Sequence, residues 1–182
     1  MEQVLHLFIT NNCRHNCQFC CNKLYKIDEI PIVTIELLKT VDTVCLTGGE
    51  PFSIKPLVLK TFIYNLRTQF KNIKNLYIYT SGYEFEKVCQ DYYEFINIYN
   101  WINGINIAPK DWKDWIAFGW SIDTINCSKN SNRLYVFREQ RPIFDAMNID
   151  LSSINVNIID RKWDVVFNTS YNEHFCRLPI LF

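Results

Sequence analysis

Short apolar runs alternate with helix-period stretches along most of this chain, and that alternation restricts the fold more than any other feature. Val4 to Ile9 reads as a strand, Thr34 is placed to cap a short helix with Leu37, Leu38 and Val41 inward, and Thr43 to Thr47 reads as a second strand. Leu59, Phe62, Ile63, Leu66 and Phe70 share one helical face, and Leu76 to Thr80 follows as a third strand. Phe85, Val88, Cys89, Tyr92 and Ile96 make another helical stripe, after which "GINIAP" from Gly104 is a fourth strand stopped by Pro109. Strands joined by crossover helices run parallel with right-handed connections, so an α/β chain is expected, its sheet open or closed into a barrel. Active loops in such a fold lie at the strands' carboxyl ends. Beyond Pro109 the pattern weakens: "DWKDWIAF" suggests a short helix begun at Asp111, and Ile154 to Ile159 and Val165 to Phe167 suggest late strands.

A chain of 182 residues, 48% of them hydrophobic, can bury one substantial core, and neither an internal repeat nor a low-complexity linker divides it. Residues 1–182 are therefore read as one domain, with 1–108 the motif-bearing half and 109–182 the substrate side. Lysine plus arginine equal aspartate plus glutamate at 19 each, so no global field draws a polyanion, and bulk nucleic-acid binding is not expected. "MEQVLHLFIT" lacks a basic n-region and is interrupted by His6, and no stretch approaches the roughly 20 apolar residues that cross a bilayer. A cytoplasmic protein without membrane contact is the expectation. In that reducing setting its eight cysteines argue for metal ligation or catalysis rather than disulfides.

"TNNCRHNCQFCCNK" places four of those cysteines within nine residues, Cys13 to Cys21. Cys13, Cys17 and Cys20 are spaced C-x-x-x-C-x-x-C, tight enough to offer three thiolates to one compact centre and to leave a fourth position unassigned. A structural zinc site takes a fourth ligand, which Cys21, His15 or a distant cysteine can supply. "TGGEP", Thr47 to Pro51, would by itself be an ordinary turn, because glycine and proline mark turns everywhere. Both stretches, however, follow adjacent strands and fall at the same edge of the sheet.

"CRHNCQFC" resembles the signature of the radical S-adenosylmethionine enzymes, with Phe19 as the aromatic residue before the last cysteine, and "TGGEP" is similar to that family's second motif. The resemblance covers roughly the first half of the chain. It implies an incomplete (β/α)6-type barrel with mainly parallel strands. It implies that Cys13, Cys17 and Cys20 hold a [4Fe-4S] cluster and are essential to catalysis, with S-adenosylmethionine on the remaining iron. Gly48 and Gly49 would admit the methionyl ammonium, Glu50 would accept from it, Pro51 would stiffen the turn, and Ser81 would reach the cofactor from the third strand. The implied activity is oxidoreductase chemistry: reductive cleavage to a 5'-deoxyadenosyl radical that takes hydrogen from a substrate. An external one-electron donor such as flavodoxin or ferredoxin is implied, and the substrate is a small molecule or a protein.

Two branches of the family compete. His15, Asn22 and Lys23 match the extended cluster loop of anaerobic ribonucleotide reductase activating proteins, which act on a backbone glycine, although "LHLFITNN" stands where a glycine-containing approach is expected. The compact 7-carboxy-7-deazaguanine synthases carry a threonine where this chain has Cys21. A non-enzymatic iron-sulfur carrier or zinc-binding domain would instead have a closed metal site. Elsewhere, Asn106 between Ile105 and Ile107, and Asn155 and Asn157 among Ile154, Val156 and Ile158, either line a polar cavity or mark an exposed edge. The polar stretch Ser121 to Arg141 reads as a lid whose Lys129, Arg133, Arg138 and Arg141 can meet an anion, or as a solvated loop. Trp112, Trp115 and Trp120 read as core, Cys45 and Cys89 as packing, and His6 as a plain strand residue, while Cys127 and Cys176 lack neighbours for a second cluster.

Overall fold

The computed structural model describes residues 2–17, 20, 27–126, 130–162 and 172–182. Its strands are β1 (Val4–Thr10), β2 (Thr43–Gly48), β3 (Asn75–Thr80), β4 (Gly104–Ile107), β5 (Arg133–Phe137), β6 (Asn157–Arg161) and β7 (Glu173–Arg177). They form one sheet in the order β6-β5-β4-β3-β2-β1-β7, and every pairing is parallel. The helices are α1 (Ile35–Leu38), α2 (Pro56–Gln69), α3 (Tyr83–Gln90), α4 (Tyr92–Tyr99), α5 (Trp112–Asn126) and α6 (Arg141–Ala146). The α/β class follows from the alternation as expected. Among the described residues no helix is long and apolar enough to cross a membrane.

Local chemistry sets several boundaries. Thr34 caps α1, its Oγ1 accepting from the Leu37 N–H at 3.2 Å. Asp111 Oδ1 accepts from the N–H groups of Lys113 and Asp114 at 2.9 and 3.0 Å and so starts α5. The stripe from Phe85 to Ile96 is two helices rather than one, broken at Asp91, whose Oδ1 accepts from the Tyr93 N–H.

The second half departs further from expectation. Helix α5 continues to Asn126, and Arg133–Phe137 is strand β5, so most of the stretch read as a lid is helix and sheet. Cys127, Lys129 and the proposed strand at Val165 to Phe167 lie outside the described residues. With β7 beside β1, the sheet has seven strands, one more than a (β/α)6 count provides. The outer edge of β7 is covered by residues 31–33: Arg177 N–H donates to Pro31 O and Val33 N–H to Arg177 O, both at 2.9 Å.

Helices cover one face of the sheet. Leu5, Leu7 and Ile9 of β1, Val44 and Leu46 of β2, Leu76 and Ile78 of β3, and Ile105 and Ile107 of β4 pack there against Leu59, Ile63, Phe85, Val88, Trp115 and Phe118. Of the three tryptophans only Trp115 is core; Trp112 and Trp120 are 58% and 70% exposed. At about 100° per residue, positions 115 and 120 lie about 140° apart on the helix with 112 between them, so a stripe centred on Trp115 leaves Trp120 outside. The alternate strand residues point the other way, into a cavity.

Candidate functional site

Because all strands are parallel, their carboxyl ends share one edge, and the loops after β1, β2, β3 and β4 meet there. The first two are fastened backbone to backbone: Gly49 N–H donates to Thr10 O and Glu50 N–H to Asn12 O, each at 2.6 Å. At this crossing a Cβ on Gly48 would lie 2.3 Å from Thr10 O, and one on Gly49 2.1 Å from Asn12 O. Gly48 also holds φ at +116°, where a side chain is strained. The two glycines thus let the "TGGEP" loop and the cysteine loop cross, a role in the chain itself beyond the one anticipated for a ligand.

Cys13, Cys17, Cys20, Gly48, Gly49, Glu50 and Ser81 all line one cavity of about 750 Å³. Cys13 is exposed, while Cys17 and Cys20 are half-buried and joined by a Cys20 N–H to Cys17 O bond of 3.4 Å. Partial burial pushes the Cys13 and Cys17 thiols up; the His15 N–H opposes this at Cys13, and the Lys110 charge opposes it at Cys17. Neighbouring cysteines add to the upward push at both, so the three sulfurs sense one another. Phe19, Cys21, Asn22 and Lys23 lie outside the described residues.

The loop is anchored on its far side by residues that motif reading missed. Arg14 Nη2 donates to Asp111 Oδ1 at 2.9 Å and to Asp114 Oδ1 at 2.5 Å, and His15 Nε2 lies 2.9 Å from Asp114 Oδ2. Asp114 has no exposed surface, and its Oδ2 also accepts from the Lys110 N–H at 2.8 Å. Burial alone would raise its carboxyl, but the bonds from His15 and Arg14 outweigh that and hold it below the usual carboxylate range. The available signal was "DWKD", which sets two carboxylates at the start of a helix. His15, Asp111 and Asp114 also bring three ligand atoms within 4.8 Å of one another, but Arg14 already occupies both carboxylates.

Glu50 joins the loops after β2 and β3. It is 4% exposed, Oε1 accepting from the Phe52 N–H at 3.2 Å and Oε2 from the Ser81 N–H at 2.8 Å. Its carboxyl is raised, since burial outweighs these bonds. Two of the anticipated residues do not line the cavity. Pro51 opens a short 3-10 helix and is buried behind it. Asn106, on central strand β4 and not on an exposed edge, has no exposed surface, and neither its Oδ1 nor its Nδ2 has a partner. Asn157 does sit on the edge strand β6.

Below the loops, the wall is aromatic and cationic. His6 stacks on Phe175 at 4.5 Å and 6°, and Tyr79 stacks on Tyr135 at 6.2 Å and 11°. Guanidinium groups lie over tyrosine rings, Arg133 over Tyr77 at 4.9 Å and Arg161 over Tyr135 at 4.7 Å, and Lys110 Nζ lies 3.7 Å from the Phe137 ring centre. His6 is held neutral, its pKa lowered to about 4 by burial and then by the Arg161 charge. Cys45 faces this cavity too, its thiol pushed up to about 12 by burial. At the opposite end Glu2 accepts from Thr43 Oγ1 and Asn75 Nδ2. Compared with protein-family models and with curated proteins, the chain matches none.

Proposed function

We propose that this chain is a radical S-adenosylmethionine enzyme, with Cys13, Cys17 and Cys20 as the ligands of a [4Fe-4S] cluster. One observation carries the reading: the two motifs, separate in sequence, meet at a single cavity mouth where the "GGE" backbone is hydrogen-bonded to the strand end that launches the cysteine loop. The donor set fits such a group. Cys13, Cys17 and Cys20 come from one loop and line one cavity mouth together, so three thiols face a space that can hold a compact metal centre. The Cys13 and Cys17 thiols, raised by burial and further by the neighbouring cysteines, also favour a cationic centre that stabilises their thiolates together.

When bound, such a cluster supplies reductive cleavage of S-adenosylmethionine and thereby hydrogen-atom abstraction from a substrate. The chain's own residues do the rest. Arg14 and His15 tie the cysteine loop to Asp111 and Asp114, Gly48 and Gly49 fix its crossing, and Glu50 and Ser81 offer oxygen acceptors to an ammonium group beside it. An incomplete barrel belongs to this reading. Five strand spacings separate β6 from β1, about 24 Å across a flat sheet, yet the Arg161 charge acts on His6 and all seven strands contribute lining or neighbouring residues to one cavity. The reading also requires an external electron donor, flavodoxin-like or ferredoxin-like, and a reducing cytoplasmic setting. It leaves glycyl-radical activation and small-molecule chemistry as the two substrate classes.

The test is anaerobic reconstitution with iron and sulfide, reduction, addition of S-adenosylmethionine, and measurement of 5'-deoxyadenosine. Wild type should bind about four irons per chain and form the product. Cys17→Ala should lose both, and a wild type that binds zinc and forms no 5'-deoxyadenosine would sink the proposal.

A further inference from the structure

We propose that the cavity below the cysteine loop binds a small planar aromatic carboxylate, with the carboxylate between Arg133 and Arg161 and the ring against the aromatic wall. That this ligand is the substrate rests on the radical reading above; that it binds does not.

The charges come first. Arg133 and Arg161 both line the cavity, and among the described residues neither forms an ion pair with a carboxylate. They lie over neighbouring tyrosines of the same wall, Arg161 over the Tyr135 ring at 4.7 Å and Arg133 over the Tyr77 ring at 4.9 Å, and both act electrostatically on Tyr135 or its neighbours. Two like charges held in one cavity wall repel each other, and aromatic faces compensate them only weakly. A carboxylate between them would replace that repulsion with charge-assisted, fork-shaped hydrogen bonds, the geometry guanidinium groups favour. Glu2, just before β1, and Glu173 on β7, carboxylates that also line the cavity, do not serve. Glu2 is engaged by Thr43 and Asn75, and Glu173 aligns with Val4 at the amino end of the sheet.

The wall selects the body of the ligand. Two stacked pairs, His6 with Phe175 and Tyr79 with Tyr135, present flat faces of the kind on which a ring stacks. Asn106 is the second, independent sign of a ligand. It pairs in register with Tyr79 and with Arg133, which places it in the same row just behind the cavity lining, and its amide is fully buried with donor and acceptor both unfilled. Buried amides without partners are costly, and a polar ring substituent that parts the lining tyrosines would satisfy this one. The volume of about 750 Å³ is of the size that small ligands fill. A backbone glycine segment offers carbonyl acceptors but no charge to offset the two guanidinium groups, so the cavity favours a small anionic molecule.

The experiment uses the full chain without its cluster and three probes: 2-naphthoate, the uncharged 2-naphthamide, and the non-planar cyclohexanecarboxylate, each titrated by calorimetry. We expect 2-naphthoate to bind at least tenfold more tightly than either analogue, and Arg161→Met, on an edge strand, to weaken it about tenfold without changing 2-naphthamide. Arg133→Met should do the same, with circular dichroism confirming the fold. Equal binding of 2-naphthoate and 2-naphthamide, no saturation by about 10 mM, or wild-type affinity in both variants overturns the site. A chain that discriminates the probes but forms no 5'-deoxyadenosine keeps the site and loses the radical reading. One that forms 5'-deoxyadenosine without discriminating keeps the reading and loses the site.

Discussion

His6 shows how far a single side chain can be turned from its solution behaviour. Buried against Phe175 and under the field of Arg161, it titrates near 4, against about 6.5 in an unfolded chain. Between those values the unfolded chain binds a proton that the folded chain refuses, so this contribution is intact above about pH 6.5 and is lost as pH falls toward 4. The shift corresponds to roughly 3 kcal/mol between pH 7 and pH 4. His6→Phe keeps the stack and removes the proton site, so urea unfolding should show the wild type losing about 3 kcal/mol more than the variant over that interval. Parallel pH curves would refute this. Nothing in "VLHLF" announced it: a lone histidine in an apolar run reads as a strand residue, and its partners come from β6 and β7. The cysteines and glycines were legible because their chemistry fixes their spacing within a few residues. The wall residues were not, since they come at alternate positions from strands far apart in the sequence.

At the level of elements, the anchored loop makes the sharpest prediction. Asp114 receives Arg14, His15 and the Lys110 N–H from a fully buried position, so removing its charge unfastens the cysteine loop from α5 without touching a cysteine. Truncating one member of a buried ion pair costs about 3–5 kcal/mol, and Arg14 keeps some access to water, so the lower end is expected for Asp114→Asn. After reconstitution and desalting, iron per chain should fall at least threefold while the far-ultraviolet circular dichroism stays that of wild type. Retained iron would show that the loop holds its shape unaided. Gly49→Ala attacks the other fastening, where the added methyl would meet Asn12 O at 2.1 Å. It should lose iron and also melt several degrees lower, because backbone must move. The sequence made these loops visible by their motifs but hid β5, since "RLYVF" follows a polar stretch and carries an arginine into the cavity row.

Across the molecule, the described helices all lie on one face of the sheet, which explains why the parallel strands do not read as continuous apolar runs. The helix-facing residues are aliphatic and the cavity-facing ones aromatic or polar, which mimics the alternation of an exposed edge. The α/β class and the shared edge of the motifs survived that ambiguity, while the cavity and the strand beyond β1 did not. The same two-sidedness sorts the cysteines. Cys13, Cys17 and Cys20 stand at the cavity mouth, Cys45 is buried within it at a pKa of about 12, and Cys176 is buried in the helix-facing core. At pH 8 a thiol titrating near 12 is ionised about one time in ten thousand, so burial and protonation protect Cys45 together. Iodoacetamide on the native, cluster-free chain, followed by residue-resolved mass spectrometry, should label Cys13, Cys17 and Cys20 well before Cys45 and Cys176. Labelling of the last two should appear only when urea unfolds the sheet. Reconstitution with iron and sulfide should protect the three loop cysteines and leave the other two as they were. If Cys45 reacts as fast as Cys13 in the native chain, the cavity is open to its floor, and the dry wall that raises this thiol and holds His6 neutral does not exist in solution.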